Sequence, residues 1–343
     1  MTNRHYSDKD FKKKAKDFVS EFNFPHEDCV SQLIQSVLKI GNVIQSESDL
    51  KLLKVSLEEL RKTFKLFQKH RDSRKIAIFG SARSKPTSKN YILTEKLAKD
   101  LSSLGFFIIT GAGPGIMEAG NKGALNNKSI GLNIELPFEQ TANQYIVNTN
   151  KLISYKYFFT RKLAFIKESD GIILLPGGFG THDEGFEVLT LIQTGRCSPR
   201  PIVLTSKSNS TYWETWINYI DTQLYKRNYI SKDDLSIFYL SKSRDDIINY
   251  IQTFYKVYHS IRYLKKHTVI RLNHTIETNH LSYINKTFSH LLESGKFELK
   301  PAKTLSDDNE FFKDKMRLVF NFNRSDYGGL YPLIHYLNSI DIT

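Results

Sequence analysis

The segment "LLPGGFGTHDE", residues 174–184, combines residue types that can bind an anion and carry out acid–base chemistry. An apolar run over 172–175 ends in a proline, a Gly-Gly-x-Gly turn follows, and Thr181, Asp183 and Glu184 come behind it. Glycine lets main-chain N–H groups converge where a Cβ would obstruct them, and a helix N-terminus adds N–H donors and partial positive charge. The segment therefore predicts either an anion site or a tight strand-to-helix turn with a good cap.

The capping alternative needs no ligand. Residues Thr181 to Glu184 match the S/T-x-x-E capping box, in which the glutamate side chain returns to the threonine N–H. Such a cap stabilises a helix by about 1 kcal/mol. These four residues alone favour the cap, and Arg161 and His182 are equally compatible with exposed helix positions.

Two further glycine-rich loops follow predicted strands. In "FGSARSKPTSKN", Gly80 allows a turn, and Ser81 and Arg83 can reach a phosphate. The second loop is "TGAGPGIMEAGNKGA", whose candidate binding residues are Gly111, Gly113, Pro114, Gly115, Met117 and Glu118. Because ligands of an open parallel sheet bind at the carboxyl ends of its strands, we expect all three loops to face one crevice.

Two common nucleotide motifs are absent from the sequence. The second loop does not complete G-x-G-x-x-G, because Ile116 stands where the third glycine is required. No loop reads G-x-x-x-x-G-K-[ST]. NAD-dependent chemistry and nucleoside triphosphate hydrolysis therefore lack support, and we expect no cofactor.

The composition predicts a soluble protein. Of 343 residues, 40% are hydrophobic and 25% charged, which is ordinary for globular chains, and no apolar run is long enough to cross a bilayer. The first residues carry charge without an apolar core, unlike a secretory signal. The two cysteines, Cys29 and Cys197, lack metal-ligand spacing, so we expect a reducing cytoplasm and no metal site.

The formal net charge of +13 is compatible with either a nucleic acid or a small anionic ligand. Basic residues are dispersed among acidic ones, and the densest cluster, "KKKAK", lies near the N-terminus. No recognised nucleic-acid-binding motif accompanies the charge. A phosphate ester fits it equally well, and we therefore disfavour nucleic acid.

Hydrophobic periodicity predicts three regions. Residues 1–74 are helical, with apolar residues at spacings of three and four from Leu50 to Phe67, which indicate a helix packed on the main domain or a pairing helix of a dimer. Residues 261–343 have the order β-α-β-β-α, typical of a small α+β domain of ferredoxin-like type, with a regulatory or oligomerisation role as the default hypothesis.

Residues 75–260 alternate strands and helices, and the apolar strands are continuous, which predicts a parallel sheet covered on both faces. The fold class is therefore α/β, a Rossmann-like doubly wound sheet. The predicted strands are 75–80, 105–111, 129–136, 143–150, 171–177 and 200–206. The predicted helices are 89–103, 116–126, 155–168, 181–194, 212–225 and 244–259.

Three motifs resemble one family. "PGGFGTHDE" matches the P-G-G-x-G-T-x-x-E motif of the Lonely Guy family of nucleoside 5′-monophosphate phosphoribohydrolases, some of which were formerly labelled lysine decarboxylases. "TRKLAF" resembles the Arg-Lys motif of that family, and "GAGPGIMEA" resembles the nucleotide loop of its larger nucleosidase members. The resemblance covers about residues 75–260.

The resemblance implies hydrolysis of an N-glycosidic bond to a free base and ribose 5-phosphate, without a cofactor. The catalytic arginine and glutamate of the family correspond to Arg161 and Glu184. The residues that would hold the 5′-phosphate are Gly177, Gly178, Gly180 and Thr181. The second loop departs from the G-L-M-G pattern of the plant enzymes, which favours AMP or another purine monophosphate over cytokinin nucleotides. The family also implies a homodimer whose site is completed across the interface.

A non-catalytic nucleotide or cofactor binder of the same superfamily is the alternative, because fold does not fix function. A pure binder needs the glycines but not the pair Arg161 and Glu184. The presence of both residues therefore favours an enzyme.

Overall fold

A computed structural model describes residues 6–125, 127–136, 142–206, 210–305, 308 and 312–342. The chain separates into two compact units, residues 1–62 and 63–343. The first unit is helical, as predicted, with α1 (Asp8–Ser20), α2 (Glu27–Val43) and most of α3 (Glu47–Gln68). The three-part division at residues 74 and 260 stays a prediction.

The second unit contains a seven-stranded parallel sheet. Its strands are β1 (Lys75–Phe79), β2 (Phe107–Thr110), β3 (Ser129–Ile134), β4 (Leu152–Tyr155), β5 (Gly171–Leu174), β6 (Ile202–Leu204) and β7 (Tyr239–Leu240). Their spatial order is β4-β3-β2-β1-β5-β6-β7, so the chain reverses direction across the sheet beside β1. In register, Ile76 of β1 lies between Ile108 of β2 and Gly171 of β5. The predicted Rossmann-like α/β fold is confirmed.

Helices cover both faces of this sheet. They are α4 (Lys89–Ser103), α5 (Ile116–Gly123), α6 (Phe158–Glu168), α7 (Phe179–Gln193), α8 (Tyr212–Tyr219) with a π-helical extension (Ile220–Tyr225), and α9 (Arg244–Thr253). Successive β1 residues point to opposite faces: Ile78 packs in a cluster with Leu97 of α4, whereas Phe79 packs with Phe165 of α6. Both faces are therefore apolar, which explains the continuous apolar strands.

A second, antiparallel sheet follows. It consists of β8 (Tyr258–Tyr263), β9 (Thr268–Leu272), β10 (Leu292–Pro301) and β11 (Met316–Phe322) in the order β10-β11-β9-β8. Helices α10 (Thr278–Thr287) and α11 (Leu330–Ser339) accompany it.

The strand predicted over 143–150 is wrong, because this segment forms turns and the strand lies at β4. The cause is Asn143, whose Nδ2 donates to the carbonyl oxygens of Ala112 and Gly113 at 2.9 and 3.0 Å and to Asn121 Oδ1 at 2.8 Å. These bonds tie the segment to the second glycine loop instead of a strand ladder.

The helix predicted over 244–259 is also too long, since α9 ends at Thr253 and β8 begins at Tyr258. The small domain is therefore β-β-α-β-β-α with an all-antiparallel sheet, and the ferredoxin-like order was wrong. Asn338 in α11 accepts from the N–H groups of Val257 and Tyr258 at 2.8 and 2.9 Å. This long-range contact overrides the local helical pattern. The predicted end of helix 116–126 at residue 126 lies outside the described residues.

Candidate active site

The three glycine loops meet at the carboxyl ends of β1, β2 and β5. The first loop connects the other two: Ser81 N–H donates to Pro176 O at 3.1 Å, and Ile116 N–H donates to Ser81 O at 3.1 Å. These bonds bring together the residues that the sequence predicted to share one crevice.

Several of the predicted glycines serve packing in this arrangement. A Cβ at Gly80 would meet the side chain of Ile116 at 2.8 Å, and one at Gly111 would meet Met117 Sδ at 2.6 Å. A Cβ at Gly113 would likewise meet Met117 Cε, at 2.8 Å. Gly115 has a φ of +69°, and its Cβ would overlap the backbone of the first loop. Gly80 and Gly115 therefore let the second loop lie directly against the first, and Gly111 and Gly113 leave room for Met117 within the second loop.

The third loop differs, because part of it is open. A Cβ on Gly178 or Gly180 would meet no atom within 4 Å, whereas one on Gly177 would meet Thr181. Gly178 and Gly180 are exposed at the start of α7, a helix of 15 residues. Their backbone is accessible to a ligand, as an anion site at a helix N-terminus requires.

The capping box predicted for Thr181 and Glu184 is wrong. The N-cap of α7 is Gly178, and no side chain in the described part of the chain caps the helix. The N-cap lies three residues earlier in the chain than the capping box predicted. Thr181 is therefore buried in the first turn, where its N–H donates to Gly178 O at 3.1 Å. Glu184 therefore lies in the second turn and is buried there.

Helices α6 and α7 bring Arg161 and Glu184 together. Arg161 Nη2 lies 3.9 Å from Glu184 Oε1, and the two side chains are 13% and 5% exposed. Arg161 Nε is buried and has no hydrogen-bond partner among the described residues, and the guanidinium lies over the Phe158 ring. Both side chains are thus buried, but they are far apart for an ion pair. Arg161 Nε can therefore donate a hydrogen bond to a polar ligand.

Burial changes the proton affinity of both groups. Desolvation raises the pKa of Glu184 to about 7, although the positive charges of Arg161 and Lys162 oppose the shift. Desolvation likewise lowers the pKa of Arg161, against the attraction of Glu184. A carboxyl group with a pKa near neutrality in a cleft is a candidate for acid–base chemistry.

Lys162 fixes the two helices relative to each other. Its Nζ lies 2.9 Å from Asp183 Oδ1 and also pairs with Glu187. Burial disfavours its charge, but the hydrogen bonds that it donates to Glu187 and Asp183 raise its pKa overall. Adjacent residues of α6 therefore have different tasks, since Lys162 fastens the helix and Arg161 faces Glu184.

Tyr212 of α8 supports the third loop and was not found from the sequence. Its hydroxyl donates to Gly177 O at 2.6 Å and lies 2.6 Å from His182 Nε2. His182 is half-buried here, where the sequence favoured an exposed position, and burial lowers its pKa. Nothing in the motif pattern signals Tyr212, which comes from a helix outside it.

The remaining predicted residues lie around the loops. Arg83 is exposed and forms no ion pair among the described residues, while its N–H donates to Ser81 Oγ at 3.1 Å. Pro114 is exposed, and Glu118 accepts from the buried Tyr91 hydroxyl at 3.1 Å. Arg83 is therefore a cation available to a ligand, whereas Glu118 ties α5 to α4.

The buried carboxyl of Glu184 gives a pH prediction for stability. Its pKa is raised in the folded state, so the folded protein binds more protons between about pH 4.5 and 7 and loses stability as pH rises through that window. We expect wild type to lose about 3 kcal/mol more free energy of unfolding than Glu184→Gln between about pH 4 and 8. Urea unfolding of both proteins across this range measures it, and equal pH dependence contradicts it.

Metal-ligand geometry occurs elsewhere in the described chain. Asp233, His290 and Asp326 place ligand atoms within 4.8 Å of one another, away from the glycine loops. Among the described residues, no helix is long and apolar enough to cross a membrane.

These features define an α/β protein of the Rossmann-like class. Its polar crevice lies where the order of the strands reverses, which is the usual ligand position in this class. Residues 117–251 match the family model described as "possible lysine decarboxylase". This model is of the Lonely Guy type, so the match over 117–251 agrees with the resemblance that the motifs predicted. No curated protein matches the chain.

Solved structures resemble about half of the chain. The molybdenum cofactor binding protein from Rippkaea orientalis is 20% identical over 53% of this chain and 96% of its own, with a TM-score of 0.37. The molybdenum cofactor carrier protein from Chlamydomonas reinhardtii is 16% identical over 52% and 96%, with a TM-score of 0.37. DNA processing protein A from Helicobacter pylori is 18% identical over 55% and 83%, with a TM-score of 0.39.

Proposed function

We propose that this chain hydrolyses the N-glycosidic bond of a purine nucleoside 5′-monophosphate such as AMP, releasing the free base and ribose 5-phosphate. The observation that carries the proposal is the buried pair Arg161 and Glu184 beside the three glycine loops. The family match over 117–251 supports it.

The chemistry requires both members of the pair. The C1′–N9 bond breaks with its electrons going to the base, positive charge develops on the ribose, and water adds to C1′. Ionised Glu184 would stabilise that charge and accept a proton from the water. Arg161 would hold Glu184 ionised before the bond breaks and stabilise the departing base, and the proton that Glu184 takes from the water would balance the one that the base gains.

The phosphate would bind at the open part of the third loop. Gly178 and Gly180 expose backbone at the N-terminus of α7, and Arg83 on the neighbouring loop is a cation without an ion pair among the described residues. Binding the 5′-phosphate there would fix C1′ relative to Glu184, which lies in the next turn of the same helix. The phosphate would thereby make the nucleotide a better substrate than the nucleoside.

The buried pair also favours an enzyme over a nucleotide carrier. Removing a carboxylate and a guanidinium from water is costly, and a separation of 3.9 Å recovers only part of that cost. A carrier can hold a phosphate with glycines alone and gains nothing from this arrangement. Carrier function remains the outcome that the assay below distinguishes.

A homodimer in the cytoplasm is part of the proposal. Phe158, Phe159 and Leu163 of α6 are about half exposed, on the helix that carries Arg161. A second copy covering this apolar surface would exclude water from the site beside it.

The experiment is chromatography of AMP, GMP, IMP, CMP and adenosine after incubation with the purified protein. We expect base release from purine monophosphates and little from adenosine. Arg83→Gln should raise KM about 10- to 100-fold, since it removes one charged phosphate contact. Arg227→Gln, at an exposed arginine elsewhere, is the matched control and should leave KM unchanged. Tight nucleotide binding without base release would identify a carrier.

A further inference from the structure

A second cavity lies at the opposite edge of the parallel sheet from the glycine loops. It has a volume of about 520 Å³, which is within the range of small-molecule sites. Its walls include Arg74 before β1, Asp170 before β5 and Arg200 before β6, together with His259 of β8 and Arg271 of β9. It therefore lies at the amino ends of the parallel strands, next to the second sheet.

Positive charge dominates the lining. Six cationic side chains face three carboxylates (Asp72, Glu168 and Asp170). The cations are Arg71, Arg74, Lys75, Lys167, Arg200 and Arg271. Among the described residues, Arg71 and Arg200 form no ion pair with a carboxylate, so their charges are not neutralised locally.

The ionic cluster behind the cavity wall also carries net positive charge. Arg271 shares one buried carboxylate, Asp308, with Arg262 and Arg317. Burial, together with the positive charges of Lys315, Arg74 and Arg271, lowers the pKa of His259 to about 4. His259 therefore adds no charge near neutral pH, and the excess positive charge of the cavity comes from guanidinium and ammonium groups.

Ser169 supplies an independent observation. The residue lines the cavity, and its hydroxyl oxygen is buried and has no hydrogen-bond partner among the described residues. Buried hydroxyl groups normally have a partner, because leaving one unsatisfied costs about 1–3 kcal/mol. A ligand oxygen in the cavity would provide that partner.

Arg200 is held in place beside Ser169. Its Nη1 donates to Ile166 O at 2.7 Å and to Ser169 O, at the C-terminal end of α6. The guanidinium is buried and fixed before any ligand arrives, so little side-chain entropy is lost on binding. Three aromatic side chains of the lining, Tyr255, Tyr258 and Phe312, add apolar surface for the remainder of a ligand.

We propose that this cavity is a binding site for a small molecule carrying one or more phosphate groups, separate from the glycine-loop site. Guanidinium groups and a hydroxyl donor match phosphate oxygens, and the aromatic surface accommodates an organic portion. The proposal does not depend on the function proposed above, since none of its residues belongs to the glycine loops.

The test is isothermal titration calorimetry of the full-length protein with pyrophosphate as the probe. We expect saturable binding that weakens about tenfold or more in Arg71→Gln and also in Ser169→Ala. Arg71 is exposed, and Ser169→Ala removes an unsatisfied hydroxyl, so both variants should fold, which circular dichroism verifies.

Two controls separate this cavity from the rest of the molecule. Arg83→Gln removes the charged phosphate contact proposed for the glycine loops, so pyrophosphate binding measured in this background reports on the cavity, and Arg227→Gln controls for non-specific charge and should bind pyrophosphate as wild type does. Binding in the Arg83→Gln background that survives Arg71→Gln and Ser169→Ala, or no binding in that background at millimolar pyrophosphate, would overturn the proposal.

Discussion

Replacing Glu184 by glutamine is expected to reduce base release from AMP by about a thousandfold or more while leaving nucleotide affinity nearly unchanged. Glutamine keeps the shape of the side chain but can neither accept a proton from water nor stabilise the positive ribose by its charge. Single-turnover chromatography measures the loss, and calorimetry with AMP measures binding. Full activity in this variant would refute the mechanism.

Asp183→Asn is the matched control for that experiment. Asp183 is the adjacent carboxylate, more than half exposed and paired with Lys162 on the outside of the helix. Its substitution removes the same charge from the same turn, so activity within a few-fold of wild type is expected. A loss as large as that of Glu184→Gln would show that helix position, rather than Glu184, controls the rate.

Glu184 also determines how kcat/KM is expected to depend on pH. If ionised Glu184 is required, kcat/KM should rise with pH through about 7, where its carboxyl group titrates in the free protein. A rate that falls through this range would instead assign Glu184 the role of an acid.

Gly115→Ala is expected to destabilise the protein by about 3 kcal/mol or more. The residue has a φ of +69° and a ψ of −126°, a conformation that only glycine adopts readily, and a Cβ would overlap the main chain at Ser81 and Ala82. Because backbone atoms of both loops are involved, relief requires the loops to separate. Urea unfolding measures the loss of stability.

Gly113→Ala is the comparison for this prediction. Its Cβ would meet the terminal methyl of Met117 at 2.8 Å, at the end of a flexible side chain, and its φ is not positive. We expect a cost of about 1 kcal/mol or less, since Met117 can change rotamer. Equal destabilisation by both substitutions would mean that loop strain is not specific to Gly115.

The sheet could be predicted because its signals are local. Apolar runs such as "KIAIF" and "GIIL" are buried on both faces, and glycines mark the strand ends that form the crevice. Arg161 and Glu184 were identified through motifs, and the structure brings them within 3.9 Å of each other. Their assignment as catalytic residues stays a prediction.

Contacts between distant segments could not be predicted in this way. Asn143 binds the second glycine loop, so the segment that resembles a strand in sequence forms turns. Asn338 stabilises the start of β8 from more than 80 residues away. Thr181 has the residue type of a cap, yet the helix begins at Gly178, since glycine at the N-cap requires no side-chain oxygen. Tyr212 reaches Gly177 from a helix that the motifs do not include. Each depends on which segments the fold brings together.

The hydrogen bond from Ser81 to Pro176 joins residues 95 positions apart in sequence. During synthesis, the first glycine loop must therefore wait for most of the parallel sheet to emerge before it can close against the third. Contacts between such distant residues form slowly and leave strand edges exposed in the meantime. The crevice is consequently among the last parts of the domain to assemble, and a fragment ending before β5 would contain two of its loops but no site.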